Sequence, residues 1–173
     1  MIKLNKSLPA MTLALALAGV SLNAHAHKPW LLPSSTLVEG KEAWLTVDAA
    51  ISEGLFDIDH QPLKLDGLLI TGPDGAKLTP DNVNNGKLRN TFDLKLPKPG
   101  TYRIALVTQS VGGSYKDKAG EMKRFRGTEE TLAKDVPAEA TDVKLSRTHS
   151  RLETFVSTGT PDMAVFKPSG VGL

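Results

Sequence analysis

Chemistry in this chain gathers at histidine. Four histidines are present and cysteine is absent, so a metal ion would be held by nitrogen and oxygen rather than by thiolate. His27 follows Ala24-His25-Ala26, a small-x-small pattern that suits signal peptidase. Cleavage after Ala26 makes His27 the first residue. Its free α-amine and its imidazole Nδ1 then close a chelate ring on one ion. An internal histidine cannot do this, because an amide nitrogen is a poor ligand unless deprotonated. His60, in the polar stretch Asp57-Ile58-Asp59-His60-Gln61-Pro62, is the candidate to complete a nitrogen set suited to nickel or copper. Asp57 or Asp59 would orient that imidazole or add an oxygen ligand. Cleavage after Ala24 instead exposes His25-Ala26-His27. There the amine, the intervening deprotonated amides and the His27 imidazole surround copper or nickel in a plane. Bland readings stand beside these: the peptidase tolerates a histidine at the new terminus, and His60 is equally a solvated loop residue.

Other groups carry less. His149 lies between Arg147 and Arg151, which repel a bound cation, so a surface role fits it better. There is no phosphate-binding glycine loop, no Gly-x-Ser-x-Gly elbow and no His-Glu-x-x-His. No serine or acid sits in a catalytic signature, and no enzyme is expected. Lys123-Arg124-Phe125-Arg126 alternates on a strand, with Phe125 inward and the charges solvated. Trp30 and Trp44 would suit a sugar-binding surface, but inward packing is the commoner fate of such rings.

The elements that position these groups begin after an export signal. Lys3 and Lys6 are the only charges in residues 1–26, and an apolar run over residues 8–22 follows them. That run is too short and too weak to span a bilayer as a mature helix. Residues 1–26 therefore read as a cleavable signal peptide leading to the periplasm, with no membrane span after cleavage. The absence of a twin arginine indicates the general secretory route. The full chain has 21 Lys and Arg against 19 Asp and Glu; loss of Lys3 and Lys6 leaves the mature chain formally neutral. Neutrality removes the electrostatic case for nucleic acid. With no cysteine, stability rests on a hydrophobic core, and the residues after the signal suffice for one domain.

The dominant hydrophobic period is two. Ala43, Leu45, Val47 and Ala49 alternate with Trp44, Thr46 and Asp48; Leu88, Phe92, Leu94 and Leu96 alternate with Arg89, Thr91, Asp93 and Lys95. Further strands are predicted over residues 68–71, 101–108 and 152–157. Hairpins are predicted at Gly72-Pro73-Asp74-Gly75 and at Lys118-Ala119-Gly120, where glycine supplies the positive φ a tight turn needs. Short strands with turns at this spacing predict an all-β, immunoglobulin-like antiparallel sandwich over residues 27–165. At most one short helix is expected, over residues 129–134 with Thr128 as N-cap, and residues 135–142 read as loop. Tyr102 would either anchor a corner by its hydroxyl or serve as ordinary core. The expected core holds Leu45, Val47, Phe92, Leu94, Ile104 and Leu106. Residues 166–173 read as a linker.

The chain resembles a bacterial periplasmic family, domain-of-unknown-function family 4198. The resemblance rests on His27-Lys28-Pro29-Trp30-Leu31-Leu32-Pro33-Ser34, Leu55-Phe56-Asp57 and Asp59-His60-Gln61-Pro62-Leu63. It continues through Ile70-Thr71-Gly72-Pro73-Asp74-Gly75, Pro99-Gly100-Thr101-Tyr102-Arg103-Ile104 and Arg124-Phe125-Arg126-Gly127. Members are often labelled NikM-like periplasmic components of nickel or cobalt uptake. The resemblance implies a β-sandwich, export and a link to divalent-metal uptake. It carries over His27 and His60 as candidate metal ligands and nothing catalytic. Family members usually continue past the Lys-Pro-Ser-Gly segment into a second β-domain, so a truncated form is the expectation here.

Three functions follow. The first is a periplasmic component of nickel, cobalt or copper handling that binds the ion through His27. The second is a metal-free adaptor sandwich that docks to an envelope transporter. The third, a histidine-brace copper enzyme, fits worst: such enzymes present a broad flat aromatic surface, and this chain has nine aromatics, most of them at apparent core positions.

Overall fold

A computed structural model describes residues 27–54, 57–59 and 61–166. The signal segment, His60 and the linker-like stretch from residue 167 lie outside the described residues. The alternating patterns become strands β1 Lys28–Pro33, β2 Leu37–Val38, β3 Ala43–Gly54, β4 Asp57–Ile58, β5 Leu68–Thr71 and β6 Lys77–Leu78. They continue as β7 Asp81–Asn85, β8 Arg89–Leu96, β9 Gly100–Lys116, β10 Met122–Gly127 and β11 Thr141–Thr158. The α-helix among the described residues, α1, spans Glu129–Asp135, and a short 3₁₀ turn closes at Ala164–Phe166.

Two sheets result. The first has the order β1-β3-β8-β7, with β4 added to β3 beyond the end of β8; the second has the order β2-β11-β9-β5-β6, with β10 added to β9. The fold is the expected β-sandwich. One detail departs from a purely antiparallel pattern: β2 pairs with β11 in parallel, Ser157 with Leu37 and Thr158 with Val38.

The period-two pattern supplies the core. Leu45 and Val47 of β3 and Phe92 and Leu94 of β8 face Ile104 and Leu106 of β9, with Tyr102, Ile70 and Val156 closing the layer; all are buried. Burying each such side chain contributes about 1.5–3 kcal/mol. Leu88 does not join them. It sits in the connection before β8 and is exposed, while Asn90 occupies the inward site next to Phe92 and donates through Nδ2 to the Leu63 carbonyl oxygen at 2.9 Å. Trp44 also departs from expectation: it is exposed on the outer face, with the Lys95 ammonium 5.6 Å from its ring centroid. Its strand phase decides this, since Ala43 and Leu45 take the inward positions.

The later strands are longer than their hydrophobic patterns indicate. Residues 101–108 are the inner part of β9, which runs on to Lys116, and β11 begins at Thr141 rather than near Leu152. The extra lengths leave the sandwich as a ribbon in which residues Val111–Lys116 of β9 pair with β10 on one side and with β11 on the other. Much of this ribbon has water on both faces, so no alternation marks it. Phe125 packs against Tyr115 there, ring centroids 6.3 Å apart, while Lys123, Arg124 and Arg126 are exposed. Helix α1 follows β10 directly; the Thr128 amide donates to Thr131 Oγ1 at 3.0 Å and fixes its first turn. Both predicted hairpins form, with Gly75 and Gly120 each at φ +79°.

Candidate metal centre

The far end of β3 assembles the site. Lys28 pairs with Ser52 in the β1–β3 ladder, so His27, one residue earlier, comes level with Glu53. On the other side of β3, Ile58 pairs with Ser52, and the Asp59 amide donates to the Ile51 carbonyl oxygen at 2.8 Å. Residues 51 and 53 share a face because side chains alternate along a strand. Their ladder partners share it too. Three chain segments thus deliver His27, Glu53 and Asp59 to one surface. Trp30 fixes the approach of β1 by donating through Nε1 to Ser52 Oγ at 2.8 Å.

His27 Nδ1 lies 3.0 Å from Asp59 Oδ2 and 3.8 Å from Glu53 Oε1. One ligand atom from each of the three residues lies within 4.8 Å of the other two, a spacing a single cation can bridge. Asp59 is the most enclosed, 16 % exposed against 39 % for Glu53 and 61 % for His27. The ring nitrogen turned toward the carboxylates is Nδ1, the one the α-amine chelate requires. One imidazole nitrogen and two carboxylates make a mixed nitrogen–oxygen set suited to borderline divalent ions.

Of the residues singled out in the sequence, the fold brings His27 and Asp59 together, while His60 lies outside the described residues. Asp57 is exposed and is not part of the group. Glu53 is the residue that sequence reasoning missed. The signal for it is the strand register, which only the pairing of β1 with β3 reveals. His149 lies on β11 in the other sheet. There it lines a cleft of about 410 Å³ with Gln109, Ser110, Thr128 and Arg147, and Arg147 is ion-paired with Glu129.

A model for the family described as domain of unknown function 4198 matches residues 24–173. The chain belongs to this family. The match spans both sheets and the whole of the His27 site, so the sandwich of family 4198 is the frame on which that site is built. No curated protein and no solved structure matches the chain. No helix among the described residues is long and apolar enough to cross a membrane.

Proposed function

We propose that the protein is a periplasmic component of divalent-metal uptake that binds nickel, cobalt or copper through an N-terminal His27. Residues 1–26 direct export and are removed, which frees the α-amine. The approach of His27 Nδ1 to the Asp59 and Glu53 carboxylates is the observation that carries this reading. The amine and Nδ1 chelate the ion, Asp59 and Glu53 supply oxygen and negative charge, and His60 adds a second imidazole from the residue next to Asp59. Two carboxylates beside an exposed histidine give a site open enough to hand its ion on, as a carrier requires.

The test is calorimetric titration of the exported chain with nickel, cobalt and copper. A variant with one alanine inserted before His27 keeps every side chain but separates the amine from the imidazole ring. Weaker binding by that variant supports the terminal chelate. Unchanged affinity in both that variant and His60→Ala refutes the two-histidine site.

The adaptor reading draws on a different observation. Along β11, the edge away from β9 pairs with β2 only at Ser157 and Thr158, among the described residues. Such an edge accepts an added strand from a partner such as an envelope transporter. Metal-independent co-purification with a transporter would favour it.

A further inference from the structure

Trp44 stands on the outer face of the first sheet, 44 % exposed, beside a row of polar side chains that hold one another in place. Register builds the row. Asp93 of β8 pairs with Thr46 of β3 on one side and with Asp81 of β7 on the other. The β7–β8 ladder then shifts between Asp81 and Asn84, a β-bulge that carries Asn82 at φ +48°. Few residues other than glycine take that conformation, and a bulge re-aims a side chain. Here the Asn82 amide donates to Asp93 Oδ2 at 2.8 Å, while the Thr46 hydroxyl donates to Asp93 Oδ1 at 2.6 Å. Ser34 Oγ accepts the Thr46 backbone amide at 3.2 Å and extends the row toward β1. Ser34, Trp44, Thr46, Asn82 and Asp93 line one open cleft of about 410 Å³.

An indole beside oriented hydrogen-bonding groups calls for a ligand with an apolar face and a hydroxylated rim. Each Asp93 oxygen takes one protein donor and keeps lone-pair capacity for another. Thr46 and Asn82 hold the Asp93 pKa below the ordinary 3.8, so the group is ionised at neutral pH. An ionised carboxylate repels anions and accepts from hydroxyls with charge-assisted strength. A pyranose ring with equatorial hydroxyls meets both demands. Its two faces carry C–H groups that pack on an aromatic ring, and its hydroxyls point outward around the rim. Because the cleft is open, a chain of such rings can lie across it without threading an end. The Lys95 ammonium stands 5.6 Å from the Trp44 ring centroid, at the tip of an exposed side chain. An exposed cation–π contact is a weak competitor beside the stacking of a flat ring. We propose that this cleft binds a neutral glycan of gluco-configured pyranose rings, with one ring stacked on Trp44 and its hydroxyls donating to Asp93.

The two tryptophans give the test an internal control. The exported chain, labelled with nitrogen-15 and stripped of metal by chelator, is titrated with cellotetraose, chitotetraose and sorbitol while both indole N–H signals are followed. Trp44→Phe assigns the signals. A tetrasaccharide that binds should shift the Trp44 signal saturably and leave Trp30, whose indole is bonded to Ser52, in place. Whichever of the two binds tells a glucan from an amino-sugar glycan. Sorbitol has the hydroxyls without the flat face and should shift neither signal. By calorimetry, Trp44→Ala should weaken binding at least roughly tenfold and Asp93→Asn roughly tenfold. If Asp93→Asn lowers the melting temperature, Asn82→Gly takes its place, since glycine accepts the positive φ and only the side-chain amide is lost. The proposal is overturned if neither tetrasaccharide shifts Trp44 saturably, or if sorbitol shifts it equally. Parental affinity in Trp44→Ala, or in the variant of the polar row, overturns it too. Trp44 and Glu53 lie nine residues apart on β3, roughly 30 Å, which keeps the result separate from the His27 site.

Discussion

The Tyr102 hydroxyl donates to the Lys98 carbonyl oxygen at 2.7 Å and accepts the Lys98 amide at 2.9 Å. The ring itself is buried in the core. One side chain thus fills space between the sheets and also ties down the turn that starts β9, a corner of the kind immunoglobulin-like domains use. Burial pushes the phenol pKa up, so the hydroxyl keeps its proton and remains a donor. Tyr102→Phe keeps the ring and strips both backbone partners of their hydrogen bonds. It should destabilise the domain by about 1–3 kcal/mol, read as a lower denaturant midpoint at unchanged slope.

Phe92 and Leu88 test the phase of β8. Both fall on the same alternation in the sequence, but Phe92 is 1 % exposed and Leu88 49 %. Phe92→Ala should cost about 3–5 kcal/mol by leaving a cavity between the sheets. Leu88→Ala should stay within about 0.5 kcal/mol of the parent. Equal losses in the two variants would mean that β8 extends inward past Arg89.

The contrast between these two residues shows what a sequence makes legible here. Alternation identifies a strand where one face is dry, which is why Leu45, Val47, Phe92, Leu94, Ile104 and Leu106 are recognisable as core. It fails where both faces are wet. Residues 141–151 of β11 carry Lys144, Arg147, His149 and Arg151 with no apolar stripe, and only their pairing with β9 makes them a strand. The candidate site divides the same way. His27 and Asp59 announce themselves by a cleavage motif and an acidic loop. Glu53 has no motif, because its role follows from lying level with His27 across the β1–β3 ladder.

Acid should weaken the fold modestly through exposed, hydrogen-bonded carboxylates, since solvent screens each of them. The hydroxyl of Thr46 and the amide of Asn82 donate to Asp93 at 2.6 and 2.8 Å and hold its pKa below the ordinary 3.8. Lys98 lowers Asp74, Lys116 lowers Asp142 and Lys118 lowers Glu139 in the same direction. A depressed folded pKa means the native state binds fewer protons than the unfolded chain. Its stabilisation is therefore complete above the unfolded values and lost as pH falls through the folded ones. The melting temperature should hold level from about pH 7 to 5 and drop below about pH 4. Asp93→Asn should shrink that drop. An undiminished acid limb in this variant would remove Asp93 from the account.

Proton competition also gives the proposed metal site its most specific signature. In the proposed site, cleavage before His27 frees an α-amine that must lose its proton to bind, and a free amine titrates at roughly 7.7–8.0. Nickel affinity of the exported chain should therefore fall by up to about tenfold per pH unit between roughly pH 7.5 and 6.5 from the amine alone. Inserting one alanine before His27 should flatten this slope, because the amine then no longer closes a ring with Nδ1. Asp59→Asn should weaken binding at every pH by roughly 10- to 100-fold while leaving the slope in place, since it removes an oxygen beside Nδ1 but not the amine. Glu53→Gln should do the same to a smaller extent, because its oxygen lies farther from Nδ1 than that of Asp59. A parent slope that survives the alanine insertion would show that the amine is not a ligand. Full affinity in Asp59→Asn would show that the ion sits away from the carboxylates that face His27.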